Sequence, residues 1–213
     1  MSLPEKKEMS NSEKRPTFSI VIAVHDQAQE IAQNLPVLLT QQYGNGDDYE
    51  VIVVDESSTD ETADVLKQLK TQYSHLYTTF LPKYQFQKNR RRLALTIGVK
   101  AARKEWLIFV DISTPPPSDL WLEELSQSAY APTALMLGYI NRKKGTVRLQ
   151  TFDDIEKARH IISKTERART HGHDGQWLRY LRGRYDFVVV GTNMGHDTLR
   201  LFEVKGKDYK QDI

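Results

Sequence analysis

Two runs of β-branched residues lie one helix-length apart near the start of the chain, FSIVIAV (Phe18–Val24) and EVIVVDE (Glu50–Glu56). Neither alternates apolar with polar positions. Such a pattern belongs to strands buried on both faces, which occur in parallel sheets covered by helices on either side. Parallel strands cannot be joined by a tight turn and need a crossover. The intervening segment supplies one. Ile31, Leu35, Leu38 and Leu39 recur at helical spacing, with Asp26 as the expected cap at the entrance. Pro36 falls inside this helix and predicts a kink, or a start within it. Tyr43 to Asp48 (YGNGDD) is turn chemistry.

The alternation continues. Ser57 to Asp60 cap a second helix over about 61–70, and His75 to Leu81 reads as a short strand. A third helix is expected over Lys88 to Arg103, with Leu93, Ile97 and Ala101 inward, followed by the strand EWLIFVDIS. Thr114 to Pro117 stops that strand, and Asp119 is expected to begin the helix LWLEELSQSA. TALMLGY and Gly145 to Gln150 read as further strands. This order predicts an α/β fold, a mostly parallel, right-handed sheet flanked by helices. After Thr151 the pattern changes. Phe152 to Arg169 reads as a charged, exposed helix, THGHDGQ as a polar loop, and YDFVVV as a strand extending the same sheet. About 60 residues of that composition make a poor core alone, so a single domain is expected. Residues 1–15 read as a flexible leader.

The chain of 213 residues is 39% hydrophobic and 27% charged, the balance of a globular protein. Its net charge of +2 gives no field that points to nucleic acid. It has no cysteine, which excludes disulfides and thiolate zinc sites and fits a reducing compartment. The apolar runs fall short of the ~20 residues of a membrane span, and the polar start does not read as a signal peptide. A cytoplasmic protein is expected.

In an open parallel sheet, ligands bind at the carboxyl ends of the strands. The residues at those ends are His25-Asp26, Asp55-Glu56-Ser57-Ser58 and Asp111-Ile112-Ser113. One such cluster reads best as a helix cap. Three in register point to a polar binding site. Neither G-x-G-x-x-G nor G-x-x-x-x-G-K-[ST] is present, so a dinucleotide cleft and a P-loop are not expected. Phosphate then falls to basic side chains or a metal. The run KNRRR (Lys88–Arg92) suits phosphate, although taken alone it reads as a solvated basic face.

These segments resemble the opening of family 2 glycosyltransferases, which have the GT-A fold. Their first strand usually ends P-V-Y-N and their second V-D-D-G-S-T-D, matching FSIVIAVHD and YEVIVVDESSTD. RLALTIGVKAARKEWLIFVD is similar to their R-A-L-N-x-G-I-x-A-A-x-G-E-Y-I-x-F-L-D segment, and TNMGHDTLRLFEVKG to their G-x-N-x-x-x-R-R-x-x-F-x-E-V-G-G segment. The match is close from about Thr17 to Leu122 and looser beyond. It implies a nucleotide-sugar-binding half at 16–125 and a shorter acceptor-side half at 126–213, one that reads as cut short.

The resemblance implies a nucleoside diphosphate sugar, often a UDP-sugar, as donor, a glycan or lipid-linked acceptor, and a divalent metal such as Mg²⁺ or Mn²⁺. A lipid-linked acceptor would bring the protein to the inner face of a membrane. Nucleotide-binding positions fall on Ala23, His25, Asp55, Glu56, Arg90 and Asp111. His25 replaces the aromatic that packs on the base, Glu56 the acid that hydrogen-bonds it, and Arg90 a basic residue near the diphosphate. Thr96 replaces the usual Asn. The metal motif Asp-x-Asp here reads Asp111-Ile112-Ser113, a departure, because hard cations prefer anionic oxygens. Asp119 is a further carboxylate that could approach. The catalytic base implied by the family has weak candidates in Asp208 and Asp212. His171, His173 and Asp174 sit in a Gly-containing loop that reads better as exposed than as a metal site. Trp106 and Trp121 read as core, and Trp177 as the tryptophan for a sugar site. A second reading, a catalytically silent nucleotide-sugar-binding or partner-binding module, follows from the altered motif and the missing base.

Overall fold

The computed structural model describes residues 15–83, 90–130, 133–154, 157 and 185–191. Its elements are β1 (Phe18–Val24), α1 (Ala28–Leu39), β2 (Tyr49–Asp55), α2 (Thr62–Gln72), β3 (Leu76–Phe80), α3 (Arg90–Ala101), β4 (Trp106–Val110), α4 (Trp121–Ser126), β5 (Leu135–Asn141), β6 (Thr146–Phe152) and β7 (Phe187–Gly191). They form a seven-stranded sheet of order β3-β2-β1-β4-β7-β5-β6. The first four in that order run parallel, and β7, β5 and β6 pair antiparallel.

The uninterrupted apolar runs have the meaning expected of them. Every residue of β1 and β2 is buried. Successive side chains of a strand point to opposite faces, so Ile20, Ile22 and Val24 pack in one layer with α1, α2 and α4, while Val21 and Ala23 pack in the other against α3. Trp106 and Trp121 belong to the first layer, as read from sequence.

Local structure departs from expectation at several points. Helix α1 runs through Pro36 without restarting there, and its N-cap is Gln27. Asp26 does not cap α1. Its backbone has φ 49°, the left-handed region, and its carboxylate accepts from the Thr59 N–H at 2.6 Å. Helix α3 buries Ala94, Leu95 and Gly98, with Leu93 and Ile97 only partly covered. Apolar residues surround this helix, so periodicity does not give its phase. Close approach decides it: a Cβ on Gly98 would lie 2.3 Å from Val21 Cγ1. Helix α4 is shorter than LWLEELSQSA, and β6 extends to Phe152, where a helix was expected to begin.

The strand order reverses at β1, which has β2 on one side and β4 on the other. The carboxyl ends of these three strands lie side by side, and the loops leaving them border a crevice above β1, the position at which open α/β sheets take ligands. Among the described residues, no helix is long and apolar enough to cross a membrane.

Candidate functional site

The crevice is built by the loop after β2 acting on the entrance of α1. The first N–H groups of a helix have no partner within it. Here the neighbouring loop supplies them: Asp26 N–H donates to Ser58 Oγ at 2.9 Å, Gln27 N–H to Thr62 Oγ1 at 3.2 Å, and Ala28 N–H to Asp60 Oδ2 at 3.0 Å. Asp60 Oδ1 also accepts from Thr62 N–H at 3.1 Å. Burial alone would raise the Asp60 carboxyl, but these hydrogen bonds outweigh it and hold it below the usual carboxylate range. The S-S-T-D stretch thus joins two helix entrances instead of capping one.

Asp55 ends β2 and holds the turn. Its Oδ1 accepts from the Ser58 N–H at 2.8 Å and the Ser58 hydroxyl at 2.6 Å. Glu56 continues the ladder, its N–H donating to Val24 O at 2.8 Å. Ser57 has φ 66° and donates its hydroxyl to Leu81 O. A serine in that region of the backbone is strained, and such strain gathers at binding sites.

Arg90 lies beside this turn but is engaged with its backbone. Its guanidinium donates to Glu56 O at 2.8 and 3.2 Å and to Ser57 Oγ at 2.7 Å. The neighbouring Arg91, which sequence reasoning left inside a basic run, faces the acids. Arg91 Nη1 lies 3.7 Å from Glu56 Oε1, and Nη2 lies 3.2 Å from Asp111 Oδ2. One guanidinium therefore links the ends of β2 and β4 across β1. The run of arginines was the available signal. The phase of α3 selects the member that points at the carboxylates.

His25 is exposed, with Nε2 3.4 Å from Asp26 Oδ2. The Asp26 carboxyl is held below its ordinary value, chiefly by the Thr59 backbone N–H. Ala23 is wholly buried in the layer against α3, so its side chain is core. Thr96 donates to Arg92 O at 2.9 Å within its own helix. Ser113 Oγ accepts from Gln27 Nε2 at 3.2 Å, and Ser113 N–H donates to Asp111 Oδ1 at 3.1 Å. Asp119 does not approach the strand ends. It contacts Gln42, beyond the far end of α1. His171, His173, Asp174, Trp177, Asp208 and Asp212 lie outside the described residues.

The sequence model of glycosyl transferase family 2 matches residues 19–203. The chain belongs to that family. Glycosyltransferase AglE of Haloferax volcanii is 26% identical over 161 residues, 73% of this chain and 51% of that protein. The chain thus spans about half the length of this curated relative. Two solved structures share the fold. S. aureus TarS 1-349 in complex with UDP has a TM-score of 0.51 at 20% identity, over 59% of this chain and 36% of that one. The mannosyltransferase PcManGT of Pyrobaculum calidifontis, in complex with GDP-Man and Mn²⁺, has a TM-score of 0.50 at 19% identity, over 62% and 38%. The sheet of this family 2 member is accordingly a GT-A sheet, and its crevice above β1 is the place where such sheets take ligands.

The divalent metal implied by the family has a poor donor set in this member. A hard cation needs several anionic oxygens. Ser113 offers a neutral hydroxyl, and Asp111 presents one oxygen to the Ser113 N–H and the other to Arg91. Among the described residues, no group of three or more His, Cys, Asp or Glu could hold a metal ion.

Proposed function

We propose that this family 2 member transfers a sugar from a nucleoside diphosphate sugar, a UDP-sugar, to a glycan or lipid-linked acceptor. The observation that carries the reading is the convergence of His25, Asp55, Glu56 and Asp111 at the carboxyl ends of β1, β2 and β4. In this reading the Glu56 carboxylate accepts from the N–H edge of the base, with the half-exposed His25 ring against its face. Asp111 faces the ribose, and Asp55 keeps the turn in shape. Ala23 contributes backbone, and Arg90 fixes the carbonyl of Glu56 near the diphosphate. Residues 16–125 form the nucleotide half and 126–213 the acceptor side. The acceptor hydroxyl oxygen bonds to the anomeric carbon as the bond from that carbon to the diphosphate oxygen breaks. The electron pair leaves with the nucleoside diphosphate, and a base, Asp208 or Asp212, takes the hydroxyl proton. A lipid-linked acceptor places the reaction in the cytoplasm at the inner face of a membrane.

Calorimetric titration with UDP tests the nucleotide site. Wild type is expected to bind, and Glu56→Ala to bind at least tenfold more weakly. Equal affinity in both would remove Glu56 from the site. Ser113 at the second motif position favours a second reading, a silent nucleotide-sugar-binding or partner-binding module. It predicts binding of a UDP-sugar with no UDP release when acceptor glycans are supplied.

A further inference from the structure

The strand ends of the crevice already hold a positive charge, and it belongs to a side chain. Arg91 spans Glu56 at 3.7 Å and Asp111 at 3.2 Å. Its side chain is 39% exposed, so it is reached from solvent as well as by the acids. A guanidinium carries five N–H donors in a planar fork that matches two phosphate oxygens at once. Only part of that fork is occupied by the two carboxylates.

Arg91 also sits where a helix would not ordinarily place it. The first turn of α3 is Arg90, Arg91 and Arg92, with no acid among them. Cations at a helix N-terminus oppose the macrodipole, whereas an anion there is favoured by it. Arg90 is held by the Glu56 carbonyl and acts as scaffold. Arg91 is the member whose charge lies between the two strand-end acids. At the motif position that would supply a second carboxylate stands Ser113, whose hydroxyl accepts from an amide. The anionic oxygen that a metal would need is missing at the place where an organic cation is supplied.

We propose that this protein holds the diphosphate of its nucleotide without a divalent ion, the Arg91 guanidinium providing the compensating charge. The proposal rests on the nucleotide-sugar reading above. On binding, Arg91 keeps Asp111 and Glu56 in place on one edge and meets the diphosphate oxygens with the other. The two carboxylates orient the arginine, so that little side-chain freedom remains to be lost when the nucleotide arrives.

Calorimetry with UDP, GDP and uridine, each in EDTA and in Mn²⁺, tests it on wild type, Arg91→Gln and Arg91→Lys. Wild type is expected to bind a diphosphate with affinities that agree within twofold in EDTA and Mn²⁺. Arg91→Gln should lose at least tenfold for that diphosphate while keeping uridine affinity within twofold, and Arg91→Lys should recover part of the loss. Strengthening of wild-type binding by tenfold or more in Mn²⁺ would overturn the proposal and leave the nucleotide site standing. An equal loss of uridine and UDP in Arg91→Gln, unrelieved in Arg91→Lys, would also overturn it, because the role would then be structural. Wild type that binds neither UDP nor GDP under either condition would sink the nucleotide reading itself, and this proposal with it.

Discussion

Glu50 should be among the most costly surface-distant carboxylates to remove, for reasons that lie in its four hydrogen bonds. It sits at the start of β2, only 2% exposed. Oε1 accepts from the Ser19 hydroxyl at 2.8 Å and the Arg103 N–H at 2.7 Å, and Oε2 accepts from Arg103 Nε at 3.0 Å and Nη2 at 2.8 Å. Ser19 Oγ in turn accepts from the Lys104 N–H at 3.1 Å. The cluster ties β1 and β2 to the turn between α3 and β4, and so fixes the foot of the helix that carries Arg91. In Glu50→Ala the Arg103 guanidinium, on a side chain 77% exposed, turns to water at little cost. The buried Ser19 hydroxyl and the part-buried Arg103 N–H lose their acceptor, at about 1–3 kcal/mol for a buried donor and less for a partly exposed one. A loss of about 3 kcal/mol follows, which at a urea slope of ~2 kcal/mol/M lowers the unfolding midpoint by roughly 1.5 M.

Glu50→Gln keeps the shape and one carbonyl acceptor, so it should lose about half as much. Acid supplies the second check. Burial by itself would raise the Glu50 carboxyl, but the hydrogen bonds from Arg103 and Ser19 outweigh it and hold it below its ordinary value. The folded state therefore favours the ionised form. That contribution is complete above the ordinary glutamate range and is lost as pH falls through the lowered folded value. Urea titrations followed by circular dichroism at neutral pH and below the carboxylate range should show the wild-type advantage over Glu50→Gln shrinking in acid. A difference that stays constant with pH, or wild-type stability in Glu50→Ala, would refute the account.

Gly138→Ala should also destabilise the fold, because its Cβ would lie 2.0–2.3 Å from the Phe187 ring, which is buried edge-on against Trp121 at 5.0 Å. Overpacking of this kind costs about 1–3 kcal/mol, and calorimetry should show a midpoint lower by ~2–4 °C per kcal/mol. Burial raises the hydroxyls of Tyr43 and Tyr49 to about 12 each. Ultraviolet titration of Tyr43→Phe and Tyr49→Phe should each remove one late component, and the loss of an ordinary component near the free tyrosine value would contradict their burial.

Much of the parallel part of the sheet could be read directly from residue order. The unbroken apolar runs of β1, β2 and β4 announce strands covered on both faces, and the acids that follow them mark where a parallel sheet opens to ligand. His25, Asp55, Glu56 and Asp111 were legible for that reason, since position along a strand translates directly into position at its end. The resemblance to the family's motifs added expected roles that spacing does not carry. Other features depend on contacts between distant segments. Ser58 and Asp60 read as caps of the helix that follows them, yet they satisfy N–H groups at the entrance of α1, 32 residues away in sequence. Likewise, β7 enters the sheet between β4 and β5, a placement no local pattern contains. Of the three adjacent arginines, composition shows only a charge run. The seating of Gly98 on Val21 sets the rotation of α3, and that rotation turns Arg90 to a backbone carbonyl and Arg91 to the two carboxylates. Sequence determined which charges are present and at which strand ends, because strand and helix periods are local. Tertiary packing decided which cation meets which acid, because a helix surrounded by apolar residues has no preferred face until the sheet beneath it supplies one.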